Sequence, residues 1–169
     1  MTPQSLRQAL AGKRVLVTGA GGFIAGHVVQ ALVEAGVNVR ALVHYNGRND
    51  RGTLDELAAD EQAALEVVAG DVRDPHQMIR VVQDCDIVLH LAALIAIPYS
   101  YVAPQSYIET NITGTANILE ACRLHSTPRL VITSTSEVYG SARYVPIDEA
   151  HPLQGQSPYS ASKIGADKL

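Results

Sequence analysis

The stretch RVLVTGAGGFIAG, residues 14–26, constrains the fold more than any other part of the sequence. Residues 15–17 form the short apolar run of a buried strand, glycines follow at once, and an apolar helical pattern covers residues 23–35. A strand, a glycine turn and a helix in this order are typical of the first unit of a dinucleotide-binding domain.

The glycines in this stretch have the spacing G-x-x-G-x-x-A. Gly19 allows a tight turn off the strand, Gly22 lets the backbone approach a pyrophosphate, and Ala25 keeps the helix close to the sheet. Free N–H groups at the start of the helix, at Phe23 and Ile24, would face the phosphate charge. The alternative is that the glycines only make a turn, but the flanking strand and helix favour a cofactor site.

The remaining pattern alternates strands with helices and predicts one α/β domain. It is expected to be a Rossmann-type, doubly wound parallel sheet. After a lead-in at residues 1–13, strands are predicted at 14–18, 37–43, 65–69, 86–90 and 130–133. Helices are predicted at 23–35, 50–63, 75–84 and 104–125, and from 157 onwards.

Composition and charge exclude several classes of protein. The 169 residues carry a net charge of −4 and no basic run, which argues against nucleic-acid binding. No apolar stretch has membrane-spanning length, and the N-terminus does not resemble a signal peptide, so we expect no membrane partner. Cys85 and Cys122 form no CxxC pair, which favours a reduced, cytoplasmic location. The six histidines lack ligand spacing, so no metal site is expected, and His90 is predicted to be a core residue.

The end of the second strand bears on the choice between NAD and NADP. Residues 43–45 are Val-His-Tyr and provide no carboxylate to accept hydrogen bonds from the adenosine ribose of NAD. Arg48 and Arg51 follow and could pair with the 2′-phosphate of NADP, so NADP is slightly favoured. The alternative is that both are solvated loop arginines.

Residues suited to catalysis follow the fourth and fifth strands. Leu91, Ala92 and Ala93 after strand four let a cofactor lie close, and residues 134–137, Ser-Thr-Ser-Glu, follow strand five. Open α/β sheets place their ligands at these strand ends. Ser157 and Pro158 are typical of a helix cap and first residue.

Tyr159 and Lys163 lie four residues apart on the helix that follows, and so share one face. A lysine ammonium near a phenol favours the phenolate, which can take a hydroxyl proton while hydride leaves the same carbon. A Tyr-x-x-x-Lys pair alone is a common coincidence. After a nucleotide turn and a Ser/Thr strand end, the pair indicates a dehydrogenase-type site.

Six motifs in order, TGAGGFIAG, GDVRD, HLAA, NITGTANILEA, STSEVYG and SPYSASK, carry a family resemblance across residues 18–163. The chain resembles the extended short-chain dehydrogenases/reductases, in the branch of NAD(P)-dependent sugar-nucleotide epimerases and dehydratases. The resemblance implies that Gly19, Gly22 and Ala25 hold the pyrophosphate and that Asp71 and Val72 flank the adenine. It implies three catalytic roles: Tyr159 as the base, Lys163 on the nicotinamide ribose and Thr135 on the reacting hydroxyl. Asn111 matches a position that supports the active site.

Glu137 makes the chain most similar to the nucleotide-sugar 4,6-dehydratases. The run AALIAIPYSYVAPQSYIETN and the loop HYNGRN resemble those of the UDP-N-acetylglucosamine 4,6-dehydratases. The resemblance implies that Glu137 is catalytic and that Ser136 and Glu137 contact the substrate. The Thr-Ser-Glu run at residues 135–137 is similar to that of GDP-mannose dehydratases. A sugar-nucleotide 4-epimerase, a UDP-glucuronate decarboxylase and a non-catalytic NAD(P)-binding module are the alternatives.

Members of this family are roughly twice as long as this chain. We therefore expect residues 1–169 to be an N-terminal NAD(P)-binding domain without the last strands of the sheet and the sugar-nucleotide domain. The resemblance also implies a homodimer through the helices at 104–125 and from 157. Ile118 and Ile164 are expected to point outward in that interface.

Overall fold

The computed structural model describes residues 3–169 and contains one parallel sheet of five strands. The strands are β1 (Arg14–Thr18), β2 (Asn38–His44), β3 (Leu65–Gly70), β4 (Ile87–His90) and β5 (Arg129–Ile132). Their order is β3-β2-β1-β4-β5, so the chain direction across the sheet reverses between β1 and β4. The doubly wound Rossmann-type fold is confirmed, and its switch point is the expected place for a ligand.

Within residues 3–169, eight α-helices surround this sheet. They are α1 (Pro3–Ala9), α2 (Phe23–Glu34), α3 (Ala59–Ala63), α4 (Pro75–Val82), α5 (Ile97–Val102), α6 (Pro104–Tyr107), α7 (Gly114–Leu124) and α8 (Pro158–Asp167). A π-helical turn, Ile108–Thr113, joins α6 to α7, and 3-10 turns cover Gly52–Glu56 and Ser136–Tyr139. The first two residues of the predicted lead-in lie outside the described residues.

The hydrophobic core has two layers, because successive strand residues point to opposite faces of the sheet. Val15 and Val17 of β1 pack with α2, α1 and the first 3-10 turn. Leu16, between them, packs on the other face with α4 and α7. Each face of the sheet is therefore covered, as the apolar strands require.

The prediction of one continuous helix at residues 50–63 was wrong. The structure has a 3-10 turn at Gly52–Glu56 and a separate α3 at Ala59–Ala63. Gly52 has a positive φ of 62°, and the carboxylate of Glu61 accepts a hydrogen bond from the N–H of Ala58 at 2.9 Å. That side-chain bond caps a new helix at Ala58 and interrupts the preceding turn.

The expectation that Ile118 points outward was also wrong. Ile118 is fully buried in α7 and packs in the second core layer with Leu16 and Val88. Ile108 and Ile112 of the π-helical turn and Leu119 of α7 are instead partly or largely exposed. The core contacts of α7 come from the face that carries Thr115, Ile118 and Cys122, because that face meets β4 and α4.

Candidate active site

The glycine turn between β1 and α2 lies at the switch point of the sheet. Gly19 has a φ of 70°, and a Cβ there would lie 2.8 Å from the Cα of Ala92. Both the backbone conformation and the close approach of β4's end require glycine. Gly22 is the N-cap of α2 and has an extended backbone. The first N–H groups of α2 have no partner within the helix, so they are available to an anion.

A covering loop, residues 45–53, crosses this glycine turn. The N–H of Thr53 donates to the carbonyl of Gly21 at 3.1 Å, and its hydroxyl donates to the carbonyl of Gly22 at 3.2 Å. A Cβ on Gly21 would lie 2.8 Å from the carbonyl oxygen of Arg51, and one on Gly26 would collide with Thr53. These two glycines, which the nucleotide motif does not explain, are needed for the loop to approach.

A cavity of about 360 Å³ opens at the carboxyl ends of the central strands. Its lining residues are Gly19, Leu42, His44, Gly70, Asp71, Val72, Arg73, Ala92, Ala93, Leu94, Tyr99, Ser106 and Thr110. The Asp71 carboxylate accepts hydrogen bonds from Arg73 at 2.6–3.0 Å, and this hydrogen bonding lowers the pKa of Asp71. An ionised carboxylate therefore stands at the rim of an otherwise mostly apolar cavity.

A second cavity of about 320 Å³ lies between the glycine turn and the covering loop, and includes Gly22, Asp50 and Arg51 in its lining. The Arg51 guanidinium is held by Asp55 at 2.7 Å and by Gln62 at 2.6 Å. Arg48 lies in the exposed part of the loop, outside both cavities. Of the two arginines predicted to act together, Arg51 is thus held by side chains beside the second cavity, whereas Arg48 is exposed outside both cavities.

Helix α8 carries the predicted catalytic pair. Ser157 caps it, accepting a hydrogen bond from the N–H of Ser160 at 3.0 Å. Tyr159 is buried, and its ring meets the ring of Tyr107 edge-on, with centroids 6.3 Å apart. One turn later, the ammonium of Lys163 donates to the carbonyl of Thr133 at 2.7 Å, and burial lowers the pKa of Lys163. The helix is therefore anchored to the carboxyl end of β5.

The Thr135–Ser136–Glu137 run begins the second 3-10 turn, which packs against α8. The hydroxyl oxygen of Thr135 accepts a hydrogen bond from the N–H of Glu137 at 3.3 Å, and buried Val138 anchors the turn. Ser136 and Glu137 are exposed. Glu137 is thus exposed in the turn that follows β5, and this turn packs against α8.

Asn111 is buried in the π-helical turn and holds the segment that follows β4. Its side chain accepts from the N–H of Leu94 at 2.8 Å and donates to the carbonyl of Leu94 at 2.9 Å. It also donates to the hydroxyl of Ser162 on α8 at 2.9 Å. Asn111 therefore does not line the cavity but holds the segments that do. His90 is buried, as predicted for a core residue.

The structure brings five predicted cofactor residues to one cavity: Gly19, Asp71, Val72, Ala92 and Ala93. Phe23 and Ile24 are largely exposed at the start of α2, and Leu91 packs against the first core layer. The sequence analysis did not assign eight of the lining residues to the site: Leu42, His44, Gly70, Arg73, Leu94, Tyr99, Ser106 and Thr110. Of these, His44 and Gly70 had a usable signal, because they are the last residues of β2 and β3.

Across residues 3–169 no three His, Cys, Asp or Glu side chains are grouped so as to hold a metal ion. Among the same described residues, no helix is both long and apolar enough to cross a membrane.

Known proteins with similar sequences are sugar-nucleotide enzymes. UDP-glucose 4-epimerase of Azospirillum brasilense is 34% identical over 168 residues, which cover 96% of this chain and 45% of the epimerase. dTDP-glucose 4,6-dehydratase of Mycobacterium tuberculosis is 37% identical over 166 residues, covering 92% of this chain and 47% of the dehydratase. This chain thus spans about half the length of these relatives.

A solved structure of a sugar-nucleotide enzyme is also similar to this chain. DesIV, a dTDP-glucose 4,6-dehydratase from Streptomyces venezuelae solved with NAD and TYD bound, has a TM-score of 0.83 and 34% identity. The match covers 92% of this chain and 49% of that one.

The fold and the order of its motifs define an NAD(P)-type Rossmann domain of the short-chain dehydrogenase/reductase class. The family model for GDP-mannose 4,6-dehydratase matches residues 16–169. The chain belongs to this family of sugar-nucleotide epimerases and dehydratases.

Proposed function

We propose that this chain is the N-terminal, cofactor-binding part of an NAD(P)-dependent nucleotide-sugar 4,6-dehydratase. The observation that carries the proposal is the position of Glu137, a free carboxylate in the turn after β5, against which α8 packs with Tyr159 and Lys163. A 4,6-dehydratase needs a base for the C5 proton in addition to the base for the C4 hydroxyl. The relatives named above include dehydratases.

The described residues fit a dinucleotide. Gly19 lets the glycine turn pack against the backbone of Ala92, and the cavity that both residues line also contains the ionised carboxylate of Asp71. Asp71 and Val72 would flank the adenine, the start of α2 would meet the pyrophosphate, and Lys163 would hold the nicotinamide ribose. Solved relatives contain NAD, whereas the exposed guanidinium of Arg48 is suited to the additional phosphate of NADP.

The cofactor would supply a reversible acceptor for the C4 hydride. Tyr159 accepts the proton of the C4 hydroxyl, and Thr135 orients that hydroxyl by a hydrogen bond. The C4 ketone acidifies the C5 proton, which Glu137 removes as a general base. The C6 hydroxyl leaves as water with the proton that Glu137 took from C5, and the hydride from C4 would return to C6 as Tyr159 returns its proton to C5. Dehydration therefore needs both the phenol of α8 and the carboxylate of the β5 turn.

A 4-epimerase is the second candidate, because UDP-glucose 4-epimerases are as similar to this chain as the dehydratases are. Epimerisation requires Tyr159 and the cofactor but no base at C5. Ser136, where some dehydratases have an acidic residue, is compatible with this alternative.

The test exchanges the two proposed bases separately in the full-length protein. Glu137→Gln keeps the side-chain shape but cannot accept a proton, so dehydration should slow by about 10²- to 10⁴-fold. C4 oxidation should continue, and reduced cofactor should accumulate in a single turnover. Tyr159→Phe should prevent that accumulation. Glu34→Gln, an identical exchange at the exposed end of α2, is the matched control.

Product analysis separates the candidates. A 4-keto-6-deoxy sugar supports dehydration, inversion at C4 supports epimerisation, and release of CO₂ supports decarboxylation. If the Glu137→Gln protein forms the 4-keto-6-deoxy product at a near wild-type rate, Glu137 is not the base and the dehydratase proposal is wrong.

We propose further that the full-length protein is a homodimer. Ile108 is 46% exposed, and Ile112 and Leu119 on the same helical face are only partly buried. Ile112 lies beside Gly165 of α8, where a Cβ would approach it to 2.8 Å, so the π-helical turn and α8 pack as one surface. A second copy of this surface would cover its exposed apolar atoms.

A further inference from the structure

Five residues with buried polar side chains are joined by hydrogen bonds into one chain, in which Thr115 bonds the main-chain carbonyl of Asn111. They are Thr18, His90, Asn111, Thr115 and Ser162, and none is more than 3% exposed. The Thr18 hydroxyl lies 2.8 Å from Nδ1 of His90, and the Thr115 hydroxyl lies 3.0 Å from its Nε2. Both ring nitrogens are thus occupied by hydroxyl groups on either side of the imidazole.

The partners of the two threonines assign the protons. The hydroxyl of Thr115 donates to the carbonyl of Asn111 at 2.7 Å, so its oxygen accepts the proton from Nε2 of His90. Nδ1 therefore carries no proton and accepts from the Thr18 hydroxyl. Burial lowers the pKa of His90 to about 4, and the nearby charge of Lys163 acts in the same direction. The imidazole is a single neutral tautomer at neutral pH.

Both ends of this chain reach the candidate active site. The Thr18 oxygen also accepts from the N–H groups of Leu91 and Ala92, at 3.2 and 3.1 Å. Ala92 lines the larger cavity and closes over Gly19. One end of the chain thus fixes the wall of the proposed cofactor site.

The other end reaches the catalytic helix. Asn111 donates to the Ser162 hydroxyl, and that hydroxyl donates to the carbonyl of Tyr159 at 2.7 Å. Asn111 also holds Leu94, three residues after Leu91. His90 therefore joins the start of the cavity wall after β4 to Thr115 and, through Asn111, to helix α8, beside the direct bonds of Asn111 to Leu94 and Ser162.

We propose that His90 is a positioning residue, which acts through Thr18 and Thr115 to hold the segment after β4 and helix α8 in one fixed relation. This inference rests on the proposed function, because it assigns the positioned groups to catalysis. Reacting groups displaced by about 1 Å lose on the order of 10²-fold in rate, so a small loosening of this link should be visible in turnover. A merely structural role would reduce stability and leave turnover per folded molecule unchanged.

The test breaks the link at Thr115, which contacts neither cavity. Thr115→Val in the full-length protein keeps the side-chain shape and removes both hydrogen bonds. Turnover is measured for whichever sugar-nucleotide reaction the wild type performs, at a temperature where circular dichroism shows the variant folded. We expect kcat to fall by about 10-fold or more, with KM for the sugar nucleotide changed much less. Thr115→Ser, which keeps the hydroxyl, should restore kcat, and Thr127→Val beyond the far end of α7 is the matched control.

A kcat of folded Thr115→Val equal to that of wild type would overturn the proposal. If the variant does not fold, nitrogen NMR of the wild-type protein tests the hydrogen bonds of His90 without any activity measurement. The His90 signals, identified by their loss in His90→Gln, should show protonated Nε2 and unprotonated Nδ1 from pH 6 to 8. The opposite tautomer or a charged ring would refute the link. Absence of dehydration by the wild type would instead count against the proposed function alone.

Discussion

Acid should destabilise this domain through His90 before most carboxylates are protonated. In the unfolded chain the imidazole has an ordinary pKa of about 6.5, whereas burial lowers it to about 4 in the folded protein. Below pH 6.5 the unfolded state takes up a proton that the folded state does not bind. Stability therefore falls as pH drops from 6.5 towards 4 and is unaffected by this group above that range.

The expected size follows from the two pKa values. Each unit of difference is worth about 1.4 kcal/mol, so the full loss near pH 4 is about 3 kcal/mol and the loss between pH 7 and pH 5 is about 2 kcal/mol. Burial is the main cause and Lys163 adds to it, since protonation would place a second positive charge near its ammonium.

Urea unfolding followed by circular dichroism at pH 7, 6 and 5 measures this contribution. His90→Gln should be less stable than wild type at pH 7, because it disturbs the bonds to Thr18 and Thr115. The difference in unfolding free energy between the two proteins should shrink by about 2 kcal/mol at pH 5. Glutamine does not bind a proton in this range, so the variant lacks the pH-dependent loss of the wild type. His76→Gln is the matched control, since that side chain is exposed. A wild-type to His90→Gln difference that stays constant from pH 7 to pH 5 would refute the reasoning.

Four further outcomes are expected. Arg48→Ala should weaken binding of NADP⁺ more than binding of NAD⁺ in calorimetric titrations, whereas tighter binding of NAD⁺ by the wild type would contradict the NADP preference. Gly19→Ala should abolish binding of both nucleotides, because its Cβ would lie 2.8 Å from Ala92 at a positive φ. Light scattering of the full-length protein at micromolar concentration should show a dimer, and Ile108→Glu should shift it towards monomer; a wild-type monomer would contradict the interface. The 169-residue chain alone should show negligible turnover, because positioning supplies much of an enzyme's rate, and measurable dehydration by the purified chain would refute this.

The elements that could be predicted from the sequence are those whose signals are local. The apolar run at 15–17, the glycine at 19 and the cap at 157 each depend on neighbouring residues, and the structure has a strand, a turn and a helix there. The parallel, doubly wound arrangement of five strands followed from their alternation with helices. The proposed catalytic pair on α8 could be placed on one helical face from the sequence, because its members lie four residues apart.

The missed features depend on contacts between distant residues. Ile118 was misassigned because the pattern of α7 does not show which of two apolar faces meets β4. The role of His90 was invisible, because its partners lie 72 residues before it and 25 residues after it in the chain. The break near Ala58 depended on a side chain capping the backbone, which competes with a continuous helical pattern.

The covering loop also has a consequence for changing cofactor preference. Its tip is bonded within itself, since the Asn46 side chain accepts from the N–H groups of Arg48 and Asp50, each at 3.1 Å. Its root is tied by Thr53 to the glycine turn. We therefore expect that residues 46–50 can be exchanged as one block. The replacement sequence would be one suited to the opposite preference between NAD and NADP, which differ in the 2′-phosphate of the adenosine ribose. Thr53 and Gly26 would have to be transferred or retained together, because each is shaped to the other.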